Sequence, residues 1–161
     1  MRQLRSQIEL GYIAGTLDSE GTLAIHRNKN SYHAYVVVGQ TDYSWLQGLK
    51  ETWGGVVYKG RGLNENRPHW AILWRWVLTG DKMVALLETV KPFLRLKKTQ
   101  AELLLEFQAG VQKSSSPLSQ AEVERRRGLY NRCRTLNCKG PRSNQLLLAI
   151  DSAKLQYELP L

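Results

Sequence analysis

The chain has 161 residues, of which 23 are Lys or Arg and 14 are Asp or Glu, and its formal net charge is +9 at pH 7. This length allows one globular domain with a sizeable core. No apolar run approaches the roughly 18 residues of a membrane span, and Met1–Gln7 lacks the apolar segment of a signal peptide. Cys133 and Cys138 fit neither a zinc-ligand pattern nor a disulfide framework, so both are expected to be reduced. We therefore expect an intracellular protein that does not act at a membrane.

The positive charge is concentrated late in the chain. Residues 91–142 hold 12 basic and 4 acidic side chains, whereas residues 1–90 hold 10 and 8. Clustered positive charge attracts a polyanion and releases its counterions. We therefore favour a nucleic-acid partner over a basic surface that only maintains solubility.

Hydrophobic periodicity and turn residues predict helices that alternate with pairs of strands. In chain order the predicted elements are a helix at 6–19, strands at 22–27 and 32–41, a helix at 42–52, strands at 56–61 and 69–78, a helix from about 79 to Pro92, and helices at 96–107, 119–136 and 145–157. This order predicts a single α+β domain over 1–161, with a core at about 6–110 and a C-terminal helical part at about 117–161. Four antiparallel strands would be backed by helices on one face.

The first predicted helix contains two glycines, Gly11 and Gly15, with Ala14 beside the second. Small residues four positions apart flatten one face of a helix, so that another helix can pack at backbone distance. Each interior glycine costs up to ~1 kcal/mol relative to alanine, and close packing would explain why two are present.

The same helix ends in the sequence DSEG, which places Asp18 and Glu20 at the unfavourable end of the helix dipole. A divalent cation bound there would offset the repulsion. Two such helix ends side by side would supply two hard oxygen ligands, an arrangement suited to metal-assisted phosphodiester cleavage. From these residues alone, a packing face followed by two solvated acids is an equally good interpretation.

Residues 13–21, with the sequence IAGTLDSEG, resemble the nine-residue signature of the LAGLIDADG homing endonucleases. The alanine, the first glycine, the first acid and the final glycine match, while Glu20 replaces the commoner aspartate and Thr16 replaces an apolar residue. The resemblance covers about residues 8–145. It implies the αββαββα homing-endonuclease fold, with a four-stranded antiparallel DNA-binding sheet and extra C-terminal helices. It also implies Mg²⁺-dependent double-strand cleavage that leaves 3′ overhangs and promotes intron mobility.

The resemblance implies that Glu20 and the backbone carbonyl of Ser19 bind the metal ion. Mg²⁺ is the expected ion, Mn²⁺ an alternative and Ca²⁺ a non-productive substitute. Gln40 resembles the strand-end glutamine that holds water near the metals. Lys97, in the segment PFLRLKKTQA, resembles the basic residue that acts on cleavage-site solvent, with Lys98 as the alternative in a shifted register. The family's further basic residue after the glutamine has no clear match.

The chain carries one copy of the signature, which by the resemblance implies a homodimer and a palindromic or pseudopalindromic duplex DNA target. No small-molecule substrate is implied. Single-motif relatives are common in algal chloroplast introns, and mitochondrial and bacterial copies also occur. The residues assigned to the subunit interface are Gly11, Ala14, Gly15 and Asp18.

Alternation along each strand decides which side chains would reach a duplex, and a two-stranded ribbon fits the major groove, where each base pair is distinct. We assign the polar face of the first hairpin to DNA. Tryptophans at alternate positions of the fourth strand are expected in the core, which directs Arg75 to DNA. The residues predicted to contact DNA are Thr22, Ala24, His26, Asn28, Asn30, His33, Tyr35, Val37, Lys59, Arg61, Arg75, Lys139 and Arg142.

Two alternatives stay open. A non-cutting relative, either an RNA maturase or a DNA-binding regulator, would share the fold and the basic surface but need not keep the acids. A protein-interaction module would bind DNA with an affinity nearly independent of salt. The arginine run at 125–127 is expected on a solvated helix face.

Overall fold

The computed structural model describes residues 6–29, 31–60, 71–111 and 117–138. Its elements are α1 (Gln7–Ser19), β1 (Gly21–Asn28), β2 (Ser31–Gln40), α2 (Tyr43–Trp53), β3 (Val56–Lys59), β4 (Trp74–Thr79), α3 (Gly80–Val90), a 3₁₀ turn (Lys91–Phe93), α4 (Lys98–Ala109) and α5 (Gln120–Asn137). The predicted α+β class and the order α-ββ-α-ββ-α are confirmed. The predictions for Asn30, Arg61, Lys139, Arg142, the loop at 62–68 and the helix at 145–157 lie outside the described residues.

The helix ends follow from local chemistry. Ser6 and Glu9 form a reciprocal capping box at the start of α1, with N···O distances of 3.1 and 3.2 Å. Asp42 caps α2 by accepting a hydrogen bond from the backbone N–H of Trp45 at 3.0 Å. Gly54 ends that helix at a φ of 82°, in the left-handed region that favours glycine.

The four strands form one antiparallel sheet in the order β1-β2-β4-β3. One face of the sheet carries the helices and the other is open. The buried side chains of the helix-bearing face include Leu23, Ile25, Val36, Val38, Trp76 and Leu78. Trp76 is fully buried and donates its indole N–H to the carbonyl of Gly54 at 2.8 Å, so its polar atom is satisfied. This confirms the core-side assignment for Trp76 and for Trp74, which shares its face, whereas Trp70 lies outside the described residues; β4 begins at Trp74.

Helix α5 packs along β1, which is an edge of the sheet. Asn137 donates from Nδ2 to the carbonyl of Leu23 at 2.8 Å, and the rings of Tyr130 and Tyr32 lie 5.6 Å apart. Covering an edge in this way satisfies exposed backbone groups and blocks pairing with another strand.

Glu122 accepts from Arg125 and Arg126, and Arg125 also donates to the carbonyls of Glu106 and Phe107 at the end of α4. The expectation of a solvated arginine face is therefore wrong for Arg125, which joins α5 to the end of α4, and for Arg126, which is buried and lies over the ring of Phe107.

The two cysteines are unpaired, as expected, and Cys133 is buried. Burial raises the pKa of the Cys133 thiol, which keeps it protonated. None of the helices in the described ranges is long and apolar enough to cross a membrane.

Candidate nucleic-acid cleavage site

The candidate site lies where the end of α1 meets the start of β1, and we call this place the corner. A side chain at Gly21 would place its Cβ 2.6 Å from the carbonyl oxygen of Leu17, so only glycine allows so close a turn. Glu20 lies at this corner, immediately before the first strand, and its side chain is exposed to solvent. The glycine that closes the signature is thus required for the tight turn that presents the acid before it.

Lys97 reaches the same corner from the segment before α4. Its Nζ donates to the carbonyl of Leu17 at 2.8 Å and to the carbonyl of Gly21 at 2.6 Å. The side chain is half-buried, whereas that of Lys98 is exposed. The structure therefore brings Lys97 to the end of the signature, and its ammonium lies where the helix dipole is negative.

Asp18 contacts the segment that carries Lys97. Its carboxylate accepts backbone N–H groups from Arg95 at 2.8 Å, from Leu96 at 3.2 Å and from Lys97 at 2.9 Å. Asp18 was assigned to the subunit interface, and in the structure its carboxylate is hydrogen-bonded within its own chain. Sequence spacing could not show this, since the partner segment lies almost eighty residues away.

Gln40 is the last residue of β2 and lies at the same end of the sheet as the corner. Gly21 pairs with Val38 across β1 and β2, so Gln40 lies two residues beyond that pair, beside the corner. Its Oε1 accepts from the backbone N–H of Thr41 at 2.9 Å. Tyr43 occupies the stretch after Gln40 in which no further basic residue was found. Its ring packs against that of Trp74, with centroids 4.5 Å apart. This end of the sheet therefore carries the Gln40 amide and the rings of Tyr43 and Trp74.

The oxygen donors at this corner are few but of the type that a hard divalent cation prefers. Within the described residues, no group of three or more His, Cys, Asp or Glu side chains could hold a metal ion. One chain supplies the exposed Glu20 carboxylate and the neighbouring main-chain carbonyl of Ser19. Mg²⁺ commonly takes one or two protein carboxylates and fills its other positions with phosphate oxygens and water, so this sparse set is compatible with it.

One face of α1 has no partner among the described residues. A Cβ added at Gly11 or Gly15 would have no heavy atom within 4 Å. Nearby, Ile8 is 84% exposed and Tyr12 is 62% exposed, with the ring of Tyr12 edge-on to that of Trp45 at 6.2 Å. Ala14 is fully buried in its own chain. Its assignment to the subunit interface is wrong, because Ala14 turns toward the core while the glycines turn away from it.

The open face of the sheet has the composition expected for the predicted DNA surface. Cross-strand pairs place the chosen residues of β1 opposite those of β2: Thr22 opposite Val37, Ala24 opposite Tyr35, His26 opposite His33 and Asn28 opposite Ser31. All of these side chains are exposed or half-buried. Partial burial raises the pKa of Tyr35, so its hydroxyl remains a neutral hydrogen-bond donor at physiological pH.

The second strand pair confirms one predicted orientation and corrects another. Arg75 lies on the open face, between Gly39 on β2 and Tyr58 on β3. Lys59 is opposite Trp74 and shares the face of the buried Trp76, so its predicted place on the open face is wrong. Tyr58 takes that place, and sequence reasoning missed it. β3 begins with two adjacent valines, Val56 and Val57, so alternation along the sequence did not decide which face Tyr58 takes.

These observations define the class: the chain has the fold of the LAGLIDADG homing endonucleases, as the signature predicted. Neither a protein-family model nor a curated protein sequence matches the chain. Among solved structures, the chain is similar to the archaeal intron-encoded homing endonuclease I-Vdi141I, complexed with DNA, at a TM-score of 0.69 and 20% identity over 94% of this chain and 99% of that one. For the homing endonuclease I-CvuI, in complex with a DNA target, the TM-score is 0.68 and the identity 18%, over 91% and 94% of the two chains.

A third similarity differs in length. The LAGLIDADG meganuclease I-AabMI, bound to uncleaved DNA, has a TM-score of 0.61 and 18% identity. It matches 76% of this chain but only 43% of its own chain. This chain is therefore close in size to I-Vdi141I and I-CvuI and corresponds to under half of I-AabMI.

Proposed function

We propose that the chain is one subunit of a homodimeric, site-specific endonuclease that makes a Mg²⁺-dependent double-strand break with 3′ overhangs in duplex DNA and thereby promotes intron mobility. The observation that carries the proposal is the position of Glu20, exposed at the end of a helix whose glycine face is open. The DNA-bound homing endonucleases with the same fold support it.

Dimerisation through α1 would place two equivalent corners side by side. The exposed glycines allow two helices to approach closely, and Ile8 and Tyr12 supply apolar contact area beside them. A two-fold axis through this face would bring the two Glu20 side chains toward a common centre. The size match to whole chains of I-Vdi141I and I-CvuI, and to under half of I-AabMI, agrees with one motif per subunit.

The open sheet face would bind the duplex on each side of that centre. Its polar and small side chains suit the major groove. Arg75 is placed for a guanine or phosphate contact, and His26, His33 and Tyr35 for hydrogen bonds to base edges. Two such sheets related by a two-fold axis read a pseudopalindrome.

At the centre, the Glu20 carboxylates with the Ser19 carbonyls would hold Mg²⁺ against the scissile phosphates. When bound, Mg²⁺ lowers the pKa of its water and neutralises charge on the leaving oxygen. Gln40, at the sheet end, would orient water with its amide. Lys97, fixed at the same corner, would supply positive charge next to the phosphates. Hydrolysis is direct, with no covalent intermediate.

The test is a cleavage-site selection with the purified protein on a randomised duplex library in Mg²⁺. The expected result is enrichment of one pseudopalindromic site, cut in both strands with a 3′ overhang, and complete loss of cutting in EDTA. Binding to the selected site should weaken steeply as salt rises. Salt-steep binding with no cutting in Mg²⁺ or Mn²⁺ would contradict the nuclease proposal.

That outcome would favour the second candidate function, a non-cutting maturase or DNA-binding regulator of the same fold. One observation favours it: Tyr43 and Ser44 stand where the family's further basic residue is expected. A nicking assay in Mg²⁺ on supercoiled plasmid that carries the selected site separates the two candidates, because only the nuclease relaxes or linearises the plasmid.

A further inference from the structure

Two segments that are distant in sequence hold each other at the candidate site, and they do so in both directions. The side chain of Asp18 binds the backbone of residues 95–97, through three N–H groups at 2.8 to 3.2 Å. The side chain of Lys97 returns to the first segment and binds the backbone of Leu17 and Gly21. We call this five-bond arrangement the clasp.

The bonds of the clasp flank Glu20, the residue proposed to bind the metal ion. The two carbonyls that accept from Lys97 belong to Leu17 and Gly21, which lie on either side of Glu20 in the chain. The turn that presents Glu20 is therefore fixed at both ends by one ammonium group. Lys97 in turn has its backbone N–H fixed by Asp18 at 2.9 Å.

The charges make these bonds strong and directional. Three successive backbone N–H groups form a concavity that favours an anion, and an ionised acceptor about doubles the strength of each bond. The carbonyls at the end of α1 carry partial negative charge that favours the Lys97 ammonium. Asp18 thus supplies an acceptor for three backbone N–H groups, and Lys97 adds a charged donor to the carbonyl of Leu17, which also accepts the backbone N–H of Glu20.

We propose that Asp18 is a positioning residue for cleavage: through the clasp it sets the placement of Lys97 and of the turn that carries Glu20, without itself binding metal or DNA. The inference rests on the proposed nuclease function. It predicts that the two side chains of the clasp act as a unit. Once one of them has been substituted, substituting the other should lower the cleavage rate little further.

The experiment uses the full-length dimer and its selected DNA site, with Asp18→Asn, Lys97→Gln and the double variant. Three quantities are measured: the single-turnover cleavage rate, the Mg²⁺ concentration for half-maximal rate, and the DNA dissociation constant in Ca²⁺. Ser119→Ala is the matched control, because Ser119 caps the first turn of α5 through the N–H of Glu122, at the end of that helix where Arg125 binds the end of α4. It should lower the Tm without altering cleavage.

For Asp18→Asn we expect the single-turnover rate to fall by about tenfold to 100-fold, the scale of a misplacement of about 1 Å at an active site. The Mg²⁺ midpoint should rise, while DNA affinity in Ca²⁺ stays within about twofold, because a nearly unchanged sheet binds the DNA. The double variant should be no slower than the slower single variant.

The inference is overturned if the wild-type enzyme cuts and Asp18→Asn cuts as fast with the same Mg²⁺ midpoint. It is also overturned if the double variant loses the product of the two single losses, since independent roles multiply. If Asp18→Asn fails to fold, Lys97→Gln is compared with Lys97→Arg instead. Arginine keeps the positive charge at the two carbonyls, so Lys97→Arg is expected to recover part of the rate and of the Mg²⁺ midpoint that Lys97→Gln loses. An inactive wild type would instead refute the nuclease proposal itself.

Discussion

Glu20 and Glu122 both lie near helix ends, and the fold treats the two carboxylates in opposite ways. Glu122 is in the first turn of α5, where the dipole favours it, and it binds Arg125 at 2.7 Å and Arg126 at 2.6 Å. Hydrogen bonds from Arg125, with help from Arg126, lower its pKa to about 2. Glu20 lies at the unfavourable end of α1 and is exposed. The difference separates acids that hold the fold together from an acid that the fold leaves available to a ligand.

The basic residues divide in the same way. The densest positive run of the sequence, at 125–127, contributes Arg125 and Arg126 to internal bonds. The open sheet face, with fewer charges, contributes Arg75. Charge density along the sequence therefore does not indicate which surface is available to a polyanion; the decisive property is whether the fold has already supplied each charge with a partner.

The largest expected effect is at Glu20. Glu20→Gln should reduce the Mg²⁺-dependent single-turnover rate by on the order of 10³-fold or more, because the amide no longer offers an anionic oxygen to the metal. DNA affinity in Ca²⁺ at moderate salt should be retained. Glu122→Gln is the matched control and should cut at the wild-type rate at 25 °C. Equal loss in the two variants would erase the distinction between the two acids.

The next effect is on assembly. Gly15→Leu should weaken the dimer by ~10-fold or more, because a large side chain on the open face of α1 holds the two helices apart. Sedimentation over a range of protein concentrations measures the change. Gly128→Leu offers a control, since Gly128 is a helical glycine that also has nothing within 4 Å, but it is on α5. Dissociation by Gly128→Leu alone would place the subunit contact on α5.

A smaller effect is expected on DNA affinity. Arg75→Ala should cost about 1–3 kcal/mol in binding to the selected site and relax its sequence preference where Arg75 contacts a base. Arg127→Ala removes an exposed arginine of α5 and should change affinity much less. Titrations at several salt concentrations separate the two, and a greater loss with Arg127→Ala would move the DNA surface to the helices.

The smallest effect is on stability and depends on pH. Glu122→Gln should lower the Tm by about 2–4 °C at neutral pH, equivalent to roughly 1 kcal/mol. Because the folded pKa of Glu122 is about 2, against an ordinary 4.5, its stabilisation is complete above 4.5 and is lost as pH falls toward 2. The difference in Tm between variant and wild type should shrink over that range in thermal scans. A difference independent of pH would contradict the ion-pair account.

Local chemistry made much of the fold predictable. Helices α1 and α2 begin and end within one residue of their predicted bounds, and the alternation of β1 and β2 appears where it was expected, because these features depend on residues close in sequence. The start of β4 was not predictable, because pairing with β2 and β3 sets it. The bonds of Asp18 were missed for the same reason, because the segment at 95–97 that they reach is distant in the chain.

The central claim is that two copies of α1 bring their exposed acids to one centre where divalent ions bind. A crystal structure of the full-length protein on its selected DNA site with Mn²⁺, recorded at a wavelength that reveals anomalous scattering from manganese, tests this directly. Anomalous density in contact with Glu20 of both subunits, at a two-fold axis between the α1 helices, is the result we expect. A monomer on the DNA, or manganese bound only away from Glu20, would contradict the account.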